Sequence, residues 1–210
     1  DPVICLTIMF LIVMGGFGFF VWEDVFTVRK WKKLSLFSKI VLLGNAVLIF
    51  SGALFFFFFE RTNPATLGSL PFGEQVLASF FQSVTYRTAG FSTVDFSKIG
   101  EPTAVLSCVY MFIGGSSGST AGGIKVSTIA LLFFAFWNVL RGRSRIVILG
   151  RKISIQTVLR AFTLCVIGIC VTVFSGILIC SVEHVPFVSA LFECTSAFGT
   201  VGLSMGLTPS

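Results

Sequence analysis

Apolar residues in this chain gather in long blocks separated by short polar stretches, a pattern unlike that of a soluble half-buried surface. A membrane-crossing helix needs ~20 mostly apolar residues. Four blocks reach that length: Pro2 to Val21, Phe37 to Phe59, Val105 to Leu140 and Ile155 to Val182. Two shorter apolar runs do not. One is the amphipathic stretch Phe72 to Val84, and the other opens at Pro186-Phe187.

The basic residues order these blocks. Eleven of the fifteen Lys and Arg residues lie in Arg29 to Lys39 and Arg141 to Arg160, which the positive-inside rule puts on the cytoplasmic face. Trp22, Trp31 and Trp137 mark the same interface, with Arg143 and Arg145 among the cations of the second loop. Between two cytoplasmic loops the chain must cross an even number of times. Phe37 to Phe59 and Val105 to Leu140 supply the two crossings, so Phe72 to Ser92 is left to dip into the membrane and return to the outer face. By the same parity Pro2 to Val21 runs inward, and Gly15-Gly16-Phe17-Gly18-Phe19 near its inner end offers small residues for close helix contact.

The short helix of the dipping segment is followed by Thr85-Tyr86-Arg87-Thr88-Ala89-Gly90-Phe91-Ser92. Irregular backbone is tolerated at membrane depth only where protein buries it or it lines a watery path. Glycine permits φ > 0, so that successive carbonyls can point one way and replace a cation's hydration shell. A second copy follows the second short helix: Thr88-Ala89-Gly90-Phe91-Ser92 returns as Thr200-Val201-Gly202-Leu203-Ser204. The repeating unit is helix, re-entrant loop, helix, spaced by roughly 110 residues. Candidate ion ligands are the backbone carbonyls of Thr88, Ala89, Gly90 and Phe91 and of Thr200, Val201, Gly202 and Leu203.

Val105 to Leu140 is too long for one straight crossing, at ~1.5 Å per residue against a ~30 Å core. Its interruption is Gly114-Gly115-Ser116-Ser117-Gly118-Ser119-Thr120-Ala121-Gly122-Gly123, followed by Ile124 and Lys125. Residues of this kind are expected to face the pore beneath the filter and form a mobile constriction. The candidate gate residues are Gly114, Gly115, Ser116, Gly118, Ser119, Thr120, Gly122, Gly123 and Lys125. A charge at this depth is costly and usually functional, although a lysine snorkelling to the inner interface is the rival reading of Lys125. The stretch also approaches the phosphate-binding pattern G-x-x-x-x-G-K-[ST]. Ile124 breaks it, and its flanks are membrane segments.

Composition agrees: 55% hydrophobic residues, 11% charged and a mean hydropathy of +0.97 describe an integral membrane protein. The net charge of +6 sits at helix ends, where orientation and anionic lipid account for it, so nucleic acid is not an expected partner. Glu60, Glu74, Asp95, Glu101, Glu183 and Glu193 bias the outer face toward acid, either drawing cations to the mouth or serving as ordinary solvated charge. Arg87 would repel cations unless paired, with Glu74, Asp95 or Glu193 as candidates. None of the six cysteines forms a C-x-x-C pair, and the single histidine, His184, has no partner at metal-ligand spacing, which argues against an enzyme. No covalent cofactor is implied. The chain begins at Asp1 without Met, and a fragment is expected.

Thr-Ala-Gly-Phe at 88 to 91, Phe112-Ile113-Gly114-Gly115 running into Gly118 to Lys125, Gly15 to Phe19 and Thr200-Val201-Gly202-Leu203, in that order, resemble the Trk/Ktr/HKT superfamily of cation transporters, and within it the bacterial Ktr-type membrane subunits. The resemblance implies an all-α membrane fold in which four helix / pore loop / helix repeats surround one potassium-channel-like pore. Residues 1–22 would then close a preceding repeat, 37–140 form a complete one, and 155–210 open the next, with 23–36 and 141–154 as cytoplasmic loops. It also implies potassium as the passenger, with sodium as the alternative. The implied setting is the plasma membrane, and the implied partners are the remaining repeats, a second copy in a homodimer and a cytoplasmic nucleotide-binding regulatory subunit. The other reading is a non-conducting scaffold or accessory subunit.

Overall fold

The computed structural model describes residues 1–142, 146–148 and 150–208. The basic marks at Arg143 and Arg145 and the closing Pro209-Ser210 lie outside them. The described residues form helices α1 Pro2–Gly16, α2 Phe19–Val28, α3 Leu36–Glu60, α4 Phe72–Thr85, α5 Glu101–Phe112, α6 Val126–Leu140, α7 Ile155–Glu183 and α8 Phe187–Gly199. A two-residue antiparallel ladder pairs β1 Val147–Ile148 with β2 Arg151–Lys152, between α6 and α7.

Local chemistry sets most boundaries. Ser35 caps α3 by accepting from the Ser38 N–H at 3.1 Å, and its own N–H is held by Asp24 Oδ2 at 2.9 Å. Ser154 caps α7 in the same way through the Thr157 N–H. Pro71 and Pro186 stand at the N-caps of the two short helices, where a fixed φ and a missing N–H do no harm.

Helices α3 and α7, at 25 and 29 residues, are long and apolar enough to cross a membrane, and α1 with α2 makes a third span if the bent pair is taken as one. That bend corrects the reading of Pro2 to Val21 as a continuous helix. The chain turns by 92° between Gly16 and Phe19, with Gly18 at φ +78°. The Trp22 indole N–H then reaches back to the Met14 carbonyl at 3.0 Å, satisfying one of the acceptors that the broken end leaves over. The expected interruption of Val105 to Leu140 is present: α5 ends at Phe112 and α6 starts at Val126.

The route from α3 to α5 is a closed excursion. At its base, Glu60 Oε1 accepts the Gly100 N–H at 2.9 Å and Asn63 Nδ2 donates to the Lys98 carbonyl at 3.0 Å, so the chain comes back to where it left. At its far end, Ser83 Oγ donates to the Ile49 carbonyl at 2.7 Å. Ile49 lies roughly 16 Å down α3 from Glu60 at the helical rise per residue. Gly52 makes this descent close, because a Cβ there would meet Ser83 Oγ at 2.5 Å. In the second copy, α8 runs along α7 past Gly176, which faces Leu191, and Gly168, which faces Phe198. One buried cluster, including Phe56, Tyr86, Phe96, Met111, Phe192 and Val201, joins both copies.

Candidate functional site

The two short helices deliver their following segments to one place. A Cβ on Gly90 would meet the Val201 carbonyl oxygen at 2.5 Å and the Gly202 Cα at 3.4 Å, so the two backbones lie in van der Waals contact. Both segments share one conformational alternation. Thr88 and Gly90 have φ of +66° and +75°, and Thr200 and Gly202 have +53° and +87°, with Ala89 and Val201 between them. A β-branched residue at positive φ is strained, and its appearance at the same place in both copies indicates a conformation imposed by the surrounding fold.

Side chains are drawn away from this contact. Val201 and Leu203 are buried while Thr200 and Gly202 are exposed. In the first copy Thr88, Ala89 and Gly90 are half-buried, and Phe91 is 58% exposed. The first segment is held by Thr85 Oγ1 on the Phe91 carbonyl at 2.5 Å, and by Gln82 Nε2 on Thr93 Oγ1 at 2.9 Å. Tyr86 braces it from behind through its hydroxyl and Ser107 Oγ, 2.6 Å apart. A cavity of about 440 Å³ opens between the segments, lined by both glycines and by Ser92, Asp95, Ser97, Ser204 and Thr208. Asp95 stays ionised there: hydrogen bonds from Ser97, then Lys98, hold its carboxyl below the usual range.

The Gly114–Lys125 candidates lie directly against the second segment. Gly122 N–H donates to Thr200 Oγ1 at 3.0 Å, and a Cβ on Gly122 would collide with that hydroxyl at 2.5 Å. The neck of the stretch is closed by Gly114 N–H on the Ile124 carbonyl at 2.9 Å and Ile124 N–H on the Phe112 carbonyl at 3.0 Å. Its tip, Ser116 to Gly118, rests on the α1–α2 bend: Ser116 N–H donates to the Gly16 carbonyl at 3.0 Å, and Phe19 N–H to the Gly118 carbonyl at 3.2 Å. Gly115 and Ser116 are buried, Ser119 and Gly123 half-buried, and Thr120 exposed. Lys125 Nζ donates to the Ala121 carbonyl of the same stretch.

Comparison with known proteins bears on what this arrangement belongs to. The family described as TrkH, cation transport protein, matches residues 1–210. The chain belongs to the TrkH family of cation transport proteins. It is 42% identical over 210 residues to the Ktr system potassium uptake protein B of Bacillus subtilis, with 100% of this chain and 47% of that protein covered. It is 40% identical to the potassium/sodium uptake protein NtpJ of Enterococcus hirae, over 95% of this chain and 45% of that protein. The crystal structure of the potassium transporter TrkH from Vibrio parahaemolyticus shares the fold, with a TM-score of 0.71 at 20% identity, over 99% of this chain and 47% of that one. This TrkH-family chain thus spans about half the length of the relatives it matches.

Three acidic residues have other duties than the charge count suggested. Glu60 is 1% exposed and accepts from Thr66 Oγ1 and Asn63 Nδ2, both at 2.7 Å, from Gly100 N–H and from Thr103 Oγ1, so it ties α3 to the start of α5. Glu193 braces the turn after the second segment through Ser204 Oγ at 2.6 Å, Met205 N–H at 2.9 Å and Thr208 Oγ1 at 3.1 Å. Asp95 pairs with Lys98 at 3.1 Å, the one ion pair among the described residues. None of them meets Arg87, and the partner expected for that arginine is a backbone carbonyl instead. The α1–α2 bend is the other element that sequence reasoning missed; its signal was the Gly-Gly-Phe-Gly run, read there as a helix contact.

Proposed function

We propose that this chain forms part of the pore of a potassium uptake protein of the plasma membrane. In this reading Thr88 to Phe91 and Thr200 to Leu203 give two neighbouring sides of a selectivity filter whose ligands are backbone carbonyls. The observation that carries it is the contact of Gly90 with Gly202 under a shared alternation of φ. Successive carbonyls that would point to opposite sides of an extended strand are turned toward one side by such alternation, as a dehydrated cation requires. The closed excursion from Glu60 to Gly100, reaching roughly halfway into a ~30 Å core, supports re-entry from the outer face. Residues 23–36 and 141–154 then face the cytoplasm.

Potassium is the favoured passenger, with sodium as a second, because relatives at 40% identity or more carry those ions in their names. The Gly114–Lys125 stretch is the gate, supported by its hydrogen bond to Thr200 immediately beneath the second filter side. Full conduction draws on two further filter sides, a homodimer and a cytoplasmic nucleotide-binding regulatory subunit, in keeping with the family resemblance.

The test is uptake of potassium by cells that lack their own uptake systems, carrying the protein as the cell makes it, with and without residues 116–122. The backbone bonds that close the neck, from Gly114 N–H to Ile124 and from Ile124 N–H to Phe112, lie outside the deleted residues. Removing the plug should raise the uptake rate at equal membrane abundance. Unchanged or lower uptake would overturn the gate, and absence of uptake in both proteins would overturn the transport reading.

A further inference from the structure

Arg87 is unlike every other charge in the described residues. It is 5% exposed, lies three positions before Gly90, and has no carboxylate within reach. Its Nη1 donates to the Gly114 carbonyl at 3.1 Å, and its buried Nη2 has no acceptor at all. A guanidinium taken out of water and given one neutral acceptor destabilises the fold it sits in, because desolvation exceeds what one hydrogen bond returns. Its position is therefore better explained by what it holds than by stability.

What it holds is the neck of the gate. Gly114 is the second residue past the end of α5, and its N–H already closes the neck on Ile124. Its carbonyl is left to Arg87, which belongs to the filter repeat. Only glycine fits at this place, since a Cβ there would fall on the Gly122 carbonyl.

We infer that Arg87 is a positioning residue that latches the neck of the Gly114–Lys125 gate to the filter repeat carrying Thr88 to Phe91. The latch is made with the gate in place. When the segment leaves, Arg87 loses the Gly114 carbonyl as acceptor, so the bond exists only with the gate in place and its loss is a cost of opening.

This inference rests on the gate reading, and the experiment separates their failures. Four proteins are compared for potassium uptake at matched membrane abundance: wild type, Arg87→Met, the deletion of residues 116–122, and both changes together. Methionine keeps an unbranched apolar stem and removes donor and charge. Loss of one charge-assisted hydrogen bond at the neck predicts an uptake increase of roughly tenfold for R87M with the gate present. With the gate shortened, R87M should add less than twofold, because the neck then holds no plug in the path. If the deletion alone fails to raise uptake, the gate reading falls and the latch with it. If the deletion raises uptake and R87M does not, or if R87M lowers uptake by the same factor in both backgrounds, Arg87 serves only filter packing and the latch is wrong. Should R87M not reach the membrane, Arg87→Lys decides: it keeps the charge and offers a shorter, single ammonium donor, and an increase of two- to threefold supports the latch while wild-type uptake overturns it.

Discussion

Gly90 and Gly202 stand at matching places in the two copies, yet the structure predicts unequal responses to the same substitution. Both have positive φ, so Gly→Ser at either place puts a side chain in a left-handed conformation that costs roughly 1–2 kcal/mol. Space separates them. A Cβ on Gly202 meets only the Gly90 Cα, at 3.6 Å, an ordinary contact. A Cβ on Gly90 meets the Val201 carbonyl oxygen at 2.5 Å, and neither partner is a flexible side-chain end. For normal contact that carbonyl must retreat by about 1 Å, taking a candidate ion ligand with it. Losing much of one ligand to a dehydrated cation is worth on the order of 1.4 kcal/mol, comparable to a charge-assisted hydrogen bond, and that is a factor of about ten.

Gly90→Ser should therefore lower potassium over sodium discrimination by roughly tenfold, while Gly202→Ser changes it by about threefold or less. The assay is initial uptake of each cation by cells expressing either variant, normalised to protein in the membrane, so that loss of folding is not mistaken for loss of selectivity. Wild-type discrimination in a Gly90→Ser protein that still transports would refute the placement of this carbonyl at the ion. Equal losses in the two variants would refute the steric argument.

Two contacts around the site give further expectations. Thr200→Val removes the acceptor of the Gly122 N–H and should raise potassium uptake by about two- to tenfold, with Thr200→Ser close to wild type; uptake at matched abundance checks both. Glu60→Gln replaces an acceptor of four donors with a group that must turn an N–H₂ toward some of them, and should cost about 2 kcal/mol or more, seen as a lower melting temperature of the purified protein in detergent.

Much of this arrangement was legible because the membrane limits what a sequence can mean. The helices at Phe37 to Phe59 and Ile155 to Val182, the two short helices and the break within Val105 to Leu140 follow from lengths measured against a fixed thickness, and their observed bounds lie within a few residues of expectation. The pairing of Thr88–Phe91 with Thr200–Leu203 was legible as a repeat. What stayed hidden depends on partners distant in sequence. Glycine serves close packing and sharp bends alike, and nothing in Gly15 to Phe19 says which, so the 92° turn was missed. An arginine beside a candidate filter calls for an acceptor, and opposite charge is the obvious one to seek. Here Glu60, Asp95 and Glu193 are engaged by hydroxyls, backbone N–H groups and Lys98, and Arg87 donates to a carbonyl 27 residues away.

The position of the bend beside the gate has a reason in the same economy of polar groups. Each interruption of a helix orphans backbone donors and acceptors, and lipid offers them no water. Two interruptions side by side can serve each other: the Gly16 carbonyl at the end of α1 takes the Ser116 N–H, and the Gly118 carbonyl takes the Phe19 N–H at the start of α2. Within the loop the Gly115 carbonyl takes the Val126 N–H, closing the start of α6 as well. If this stretch is the gate proposed above, it cannot move as a dry body. Withdrawing Ser116 to Gly118 uncovers Gly16 O and Phe19 N together, and the motion is tolerable only if water follows. Opening of the constriction and wetting of the path are then a single event, so a substitution that makes the bend more hydrophilic should favour the open state even though it touches no ion.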